Sequence, residues 1–454
     1  MRQTDLTRGS VSRTMSLFAL PMLLGNMMQQ AYNVVDTWVV GQYVSADALA
    51  GVGSAFTLMT FLTSILLGLC MGSGVVFSVC YGKQDEKGLE RAVGNSFVLT
   101  AAAAVLLTAL PLILLDGIVR WLNIPAEITA LTGQYLYIVF WGIPAVFLYN
   151  FFAAYLKALG DSVVPLAFLG VSTALNIALD LLFVVGFHWG AAGAAQATIL
   201  AQYVSGLGIA AYVLGKSGAV RRALRYIRPS LAGMRQIAAS SFFTCLQQSV
   251  MNLGILMVQG LVNSFGTVVM AAFAAAVKID SFAYMPAQEY ANAFSTFTAQ
   301  NVGAGKMDRV RKGILCAVAT SLGYCAAASA VLWLLADRLM QIFVSARETE
   351  IIQVGVQYLH IEGAFYCGIG LLFLFYGLYR AVGKPEVSFV LTIISLGTRV
   401  LLANVLARIP VIGVVGIWWS VPIGWVLADV TGLVYWLVRR RGLLQAIAAG
   451  KENT

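Results

Sequence analysis

Long stretches without a charged side chain constrain this chain more than any other feature. Residues 49–81, 92–115, 128–156, 236–277 and 313–336 contain no Asp, Glu, Lys or Arg. A helix needs roughly 20 apolar residues to cross about 30 Å of hydrocarbon, so each run can span a bilayer. Residues 236–277 suffice for two crossings, with Asn263-Ser264-Phe265-Gly266 supplying a turn between them. Composition agrees: 59% of residues are hydrophobic, 11% are charged and mean hydropathy is +0.82. A water-soluble core cannot enclose that much apolar surface.

Reading the whole chain this way predicts an all-α polytopic membrane protein of twelve spans. They lie near 16–41, 48–81, 92–115, 128–156, 165–186 and 191–214, then 236–262, 268–301, 313–335, 351–379, 387–408 and 413–438. The polar stretch from Met1 to Arg13 leads into a full span, so no cleavable signal peptide is expected. Cytoplasmic loops retain Lys and Arg, and twelve spans with an internal N-terminus leave all but six of the 29 basic residues inside. Arg120, Arg338, Arg347 and Arg408 fall outside, while Lys278 and Arg399 fall within spans. The largest cytoplasmic groups are Arg221, Arg222, Arg225, Arg228 and Arg235, then Lys306, Arg309, Arg311 and Lys312, then Arg439 to Arg441. The net charge of +9 is thereby explained by topology, and no nucleic-acid partner is expected. Cys70, Cys80, Cys245, Cys316, Cys325 and Cys367 all lie in apolar spans without C-x-x-C spacing, and His188 and His360 stand far apart. Neither set suggests a metal centre or an intramembrane enzyme, and no organic cofactor is expected.

An internal repeat appears when the first half is slid by about 220 residues. Met28-Gln29-Gln30-Ala31 recurs as Leu246-Gln247-Gln248-Ser249, and Tyr135-Leu136 as Tyr358-Leu359. Leu156-Lys157-Ala158-Leu159-Gly160 recurs as Tyr379-Arg380-Ala381-Val382-Gly383, and Gly82-Lys83 is matched with Gly305-Lys306. Six crossings per half give both halves one orientation, related by an axis along the membrane normal. The expected organisation is an N-lobe over 1–215, a basic linker over 216–235 and a C-lobe over 236–454. Such a pair of lobes suits rocking between inward-open and outward-open states.

Ionisable residues at membrane depth cost about 2.5–3.5 kcal/mol each on insertion scales, so they mark pathways or pairs. Asp36 and Asp180 are the two in the N-half. Counted from the ends of their spans at 1.5 Å per residue, Asp36, Asp180 and Thr198 lie at one level, roughly 8–11 Å below the outer surface. Asn176 shares the Asp180 face at i and i+4. Two carboxylates, an amide oxygen and a hydroxyl can converge there, a set suited to Na+ or to a proton shared between acids. Simple polar packing, with Asp180 only bonded to Asn176, is the competing reading.

These residues resemble the multidrug and toxic compound extrusion (MATE) transporters, cation-coupled efflux antiporters of twelve helices in two lobes. The likeness covers essentially the whole chain. It includes Leu20-Pro21 with Asp36 fifteen residues on, Gln300-Asn301-Val302-Gly303-Ala304 after span eight, and the Leu159-Gly160 and Val382-Gly383 turns. In the prokaryotic branch with an N-lobe site, Asp36, Asn176, Asp180 and Thr198 match the cation-binding set and Pro21 the proline at which the first helix bends. The resemblance implies a monomer in a bacterial cytoplasmic membrane with both termini cytoplasmic, driven by H+ or Na+. It further implies export of amphipathic, often cationic, compounds through a cleft between the lobes. Glu289, deep in span eight after Pro286, is proposed to attract such a cation, with Gln29, Gln30, Gln247 and Gln248 as further cleft residues. An intramembrane hydrogen bond is the alternative for Glu289. The role of Asp429 is left open.

Span seven carries Gln247 and Gln248 but no acid, which departs from the branch that couples through its C-lobe. The repeat sets Arg399 opposite Asn176, and Lys278, Asp280, Glu362 and Arg399 fall at similar depth. A neutral ion-pair cluster centred on Arg399 with Glu362 or Asp280 is therefore expected in place of a C-lobe sodium site. Two other transporter classes fit the sequence less well. A lipid-linked sugar flippase usually has fourteen spans, and a major facilitator carries a G-x-x-x-D-R type turn that residues 81–87 do not match.

Overall fold

The computed structural model describes residues 4–44, 46–121, 126–225 and 231–449, so Arg228 of the basic loop lies outside the described residues. All regular structure among the described residues is helical. The first helices are α1 (Val11–Tyr43), α2 (Ala46–Lys83), α3 (Glu86–Ile113), α4 (Leu115–Trp121), α5 (Ala126–Phe140), α6 (Ile143–Ala158), α7 (Val163–Asp180) and α8 (Gly190–Lys216). Next come α9 (Gly218–Arg225), α10 (Leu231–Asn263), α11 (Thr267–Gly303), α12 (Met307–Phe343), α13 (Thr349–Gly363), α14 (Tyr366–Ala381), α15 (Pro385–Leu406) and α16 (Val414–Ala449). Among the described residues ten spans are long and apolar enough to cross a membrane, or eleven when α13 and α14, bent by 53° at their junction, count as one. Helix α1 is also long enough, but Asn26, Gln29, Gln30, Asn33 and Asp36 make it too polar to qualify on composition. It completes the expected twelve by length, and its polarity is the first sign that it carries function.

The repeat is written into the backbone. Gly160 and Gly383 both take left-handed φ, +87° and +75°, as do Gly190 and Gly413, +60° and +53°. Each pair is separated by 223 residues. A left-handed residue without a side chain lets the chain reverse at no steric cost. The span broken at 141–142, between α5 and α6, has its counterpart at 364–365, between α13 and α14. One correspondence needs correction. Gly82 lies inside α2, and the left-handed residue of that turn is Gln84 (φ 58°), matching Gly305 (φ 66°). The neighbouring Asp85 carries the burden of ending the turn, its carboxylate capping α3 by accepting from Gly88 N at 2.8 Å.

Contacts divide the chain into two compact units that do not follow chain order. Unit 1 comprises Met1–Asp5 and Leu20–Cys245, and unit 2 comprises Leu6–Ala19 and Leu246–Thr454. The loop-based division at 215 and 235 is thus displaced: Leu6–Ala19 joins the second unit, and residues 216–245 join the first. In unit 1 the cause is visible. Gly68 and Gly72, four apart on α2, let α10 approach so closely that a Cβ on Gly72 would stand 2.5 Å from Ser241 Cα. Small residues one turn apart are how helices pack where lipid offers no hydrophobic drive. In the described part of the basic linker, α9 buries Val220 and Ala223, and Arg222 pairs with Glu90 of α3 at 2.5 Å.

Candidate functional site

Unit 1 gathers all four residues expected at the cation site. Helix α7 ends with Asn176 and Asp180 on one face, 2% and 0% exposed, and α8 brings Thr198 against them. The Asn176 carboxamide is satisfied at both ends when its nitrogen faces Asp180. Nδ2 then donates to Asp180 Oδ2 at 3.0 Å, and Oδ1 accepts from Thr198 N at 3.3 Å. In this arrangement Asn176 offers Asp180 a donor, not a second oxygen, and its own oxygen is engaged by the α8 backbone.

Two tyrosines escaped the sequence reading. Tyr32, one turn before Asp36 on α1, has its hydroxyl 3.4 Å from Thr198 Oγ1. Tyr135 of α5 is buried within electrostatic reach of Asp36, Asp180 and Tyr32. Only the i, i+4 spacing of Tyr32 and Asp36 could have drawn attention to the first. A π-helical turn, Leu181–Gly186, begins directly after Asp180. Such turns are rare and recur at functional sites because they break the i to i−4 ladder.

The electrostatics are unresolved within the protein itself. Asp36 Oδ1 and Asp180 Oδ1 are both buried without a hydrogen-bond donor, and the two carboxylates are close enough to repel each other. A buried acceptor left unpaired costs about 1–3 kcal/mol, and more when charged. The pair can recover that cost by taking up a proton or a small cation. Among the described residues no group of three or more His, Cys, Asp and Glu could hold a metal ion.

Unit 2 departs from the expected ion-pair cluster. Asp280, buried in α11, accepts from the hydroxyl of Tyr366 and, at 3.5 Å, from that of Tyr358. Arg399 lies within electrostatic reach of Asp280 and Glu362, yet its Nε is buried without a partner, as is Glu362 Oε1. Arg399 forms no ion pair among the described residues. The expected centre is thus replaced by a carboxylate held by phenols at the α13–α14 bend. Lys278 is exposed. Two residues before Asp280, it stands about 200° round the helix and cannot share that face.

Glu289, half-buried on α11, accepts from Asn292 Nδ2 at 3.3 Å, and Asn292 Oδ1 accepts from Arg380 Nη2 at 3.0 Å. Arg380 is 5% exposed and also donates to Tyr376 O at 3.2 Å. The carboxylate therefore faces a buried cation through one amide, a counter-charge that the sequence reading missed. Gln247 is buried with Oε1 unpartnered, Gln30 and Gln248 are half-buried and Gln29 is exposed. Asp429 is buried with Oδ1 unpartnered.

The MatE family model matches residues 21–182 and 240–405, one stretch in each half. Similar curated proteins include the probable multidrug resistance protein YpnP of Bacillus subtilis (strain 168), 31% identical over 398 residues, 87% of this chain and 88% of that protein. The probable multidrug resistance protein NorM of Thermotoga maritima is 27% identical over 406 residues, 88% of this chain and 86% of that protein. Among solved structures, MATE in complex with MaL6 superposes with a TM-score of 0.92 at 23% identity, covering 98% of this chain and 100% of that one. An outward-facing multidrug resistance MATE family transporter of the MOP superfamily gives 0.91 at 23% identity, covering 98% and 99%. With its two matched halves, its helical membrane fold and relatives along nearly its full length, the chain belongs to the MatE family of transporters, which are not enzymes.

Proposed function

We propose that this transporter is a cation-coupled antiporter that exports amphipathic organic compounds, with the coupling ion taken up at Asp36 and Asp180. One observation carries the proposal: two neighbouring carboxylates, Asp180 buried and Asp36 half-buried, each keep one buried oxygen without a donor. Nothing structural is gained by that arrangement, whereas an ion that enters and leaves requires it. Asn176 directing its nitrogen to Asp180 favours a proton over Na+, because the amide N–H would oppose a metal ion at Asp180 Oδ2. Coupling follows when the protonated and unprotonated pair favour different transport states. Tyr32 and Thr198 link α1 to α8 at this point, so a change in charge on Asp36 is felt by both helices.

Cargo is proposed to be xenobiotic amphiphiles, by analogy with relatives named for multidrug resistance and export. Glu289 supplies a carboxylate for a cationic group, its charge tempered by Arg380 through Asn292. The Lys and Arg distribution supports cytoplasmic termini in a bacterial inner membrane, and the transporter is proposed to act as a monomer.

Reconstituted protein loaded with a fluorescent organic cation provides the test. Efflux driven by an imposed pH gradient, and not by a sodium gradient, is expected. Sodium-driven efflux alone would overturn the choice of ion, and transport driven by neither would overturn antiport.

A further inference from the structure

Helix α1 is divided between the two units. Its residues up to Ala19 belong to unit 2 and those from Leu20 belong to unit 1. The division falls beside Pro21, a proline in the helix interior. Pro21 lacks the N–H that would bond to the carbonyl of Leu17, so the ladder is already broken there and bending is cheap.

The entry to α1 is held firmly within unit 2. Arg309 donates from Nη1 to Gly9 O at 2.6 Å, and from Nη2 to Leu6 O at 3.2 Å and Arg8 O at 3.1 Å. Its Nε donates to Asn301 Oδ1 at 3.1 Å, and its guanidinium sits 5.7 Å from the centre of the Phe297 ring. Asn301 Nδ2 donates to Leu6 O at 3.1 Å, and Lys306 Nζ donates to Thr7 O at 2.8 Å and Thr7 Oγ1 at 3.1 Å. Leu6, Met15, Phe18 and Ala19 are at most 1% exposed. Bonds from a cation to carbonyls are stronger than neutral ones, and four consecutive residues, 6 to 9, are gripped. A loose amino-terminal segment would slide when the units move; a clamped one transmits the movement.

We propose that Asn301, Lys306 and Arg309 are positioning residues for the cation site. They fix the entry of α1 to unit 2, so that movement between the units is absorbed as a bend at Pro21 and displaces Tyr32 and Asp36 further along the same helix. The inference rests on Asp36 being the coupling residue. At 1.5 Å per residue, Tyr32 and Asp36 stand roughly 16 and 22 Å beyond the bend, within a continuous helix stiff enough to carry it. The clamp works in reverse too: ion uptake that straightens or bends α1 pulls on unit 2 through Arg309, as linkage requires.

The test places spin labels at Ser16→Cys and Arg311→Cys, both exposed and both in unit 2, after the six native cysteines are replaced. The distance between them is expected to be narrow and unchanged between pH 5 and pH 8, values on either side of ordinary imidazole titration at about 6.5. Arg309→Gln should broaden it and lower gradient-driven efflux by about tenfold, with substrate affinity within about twofold of the parent, a split that simple misfolding does not give. Should Arg309→Gln fail to fold, Lys306→Met removes only the Thr7 bonds and should broaden the distance and slow efflux to a lesser extent. A distance already broad in the parent overturns the inference. So does broadening without loss of coupled efflux, or loss of efflux without broadening. Failure of the Asp36 assignment looks different: Asp36→Asn would then retain full gradient-driven efflux while the label distances behave as described.

Discussion

Gly72→Ala should destabilise unit 1 although it adds one methyl to a helix. A Cβ on Gly72 would meet Ser241 Cα at 2.5 Å, Oγ at 2.8 Å and Cβ at 3.0 Å, against about 3.5–4.0 Å for ordinary carbon contacts. The nearest atom is backbone, so no rotamer change relieves it, and α2 and α10 must part by roughly 1 Å. Inserting a methylene into a packed core costs about 1–3 kcal/mol, partly offset by the gain of up to about 1 kcal/mol when a helical glycine becomes alanine. At about 2–4 °C per kcal/mol for a domain of this size, the melting temperature in detergent should fall by several degrees. Gly74 is the control on the same helix. Its Cβ would meet Ala154 at 3.5 Å, an ordinary contact, so Gly74→Ala should leave melting unchanged or raise it. Ser241→Gly should restore only part of the Gly72→Ala loss, because Ser241 Cα remains. The measurement is fluorescence-detected size exclusion after heating. Gly72→Ala melting at or above the Gly74→Ala temperature would refute the close approach.

Asp36→Asn should abolish gradient-driven efflux while leaving a folded protein, since the isostere removes charge but little volume; vesicle efflux and chromatographic monodispersity check both halves. Asn176→Ala and Thr198→Ala should be milder, each retaining measurable coupling, because the first deletes a neutral partner of Asp180 and the second a neutral partner of Tyr32, and neither removes a charge. Pro21→Ala restores an N–H within α1 and should slow turnover with little change in substrate affinity, read from initial efflux rates against equilibrium binding. Tyr366→Phe removes a hydroxyl bonded to buried Asp280 and should cost about 1.5–3 kcal/mol, the range for hydrogen bonds to charged groups, read as a lowered melting temperature without any change in which ion drives efflux.

Much of the fold is legible in one dimension because hydrocarbon imposes a one-dimensional rule: twenty apolar residues or no crossing. The i, i+4 pair Asn176 and Asp180 is legible for the same reason, since spacing on a helix fixes a face. Depth alone is a poorer guide. It put Lys278 beside Asp280 because both lie at one level, but level says nothing of azimuth, and Lys278 points away. Tyr135 could not be picked out among 18 tyrosines, because a phenol in a membrane helix is common and its partners lie on other helices; Tyr32 offered only its i, i+4 spacing from Asp36. Orientation of the Asn176 amide depends on the α8 backbone, which no local pattern reveals. The grip on residues 6–9 is the extreme case: its donors lie about 300 residues away, and apart from the Thr7 hydroxyl the segment offers only backbone carbonyls to be recognised.

The crossed membership of Leu6–Ala19 and Leu231–Cys245 has a genealogical consequence. Shifted by the repeat of 223, the two stretches nearly coincide, so each half-sequence begins by lending its opening segment to the other half. This is an exchange of equivalent elements within one polypeptide, analogous to the exchange by which swapped dimers form. A six-helix ancestor of this fold would have been incomplete alone and complete as a pair, each copy housing the other's first turns. Fusion of two such genes would keep the exchange within one chain. It follows that no single cut in the central loop yields self-sufficient halves: either fragment would carry one orphaned segment and lack another, and only co-expression can satisfy both.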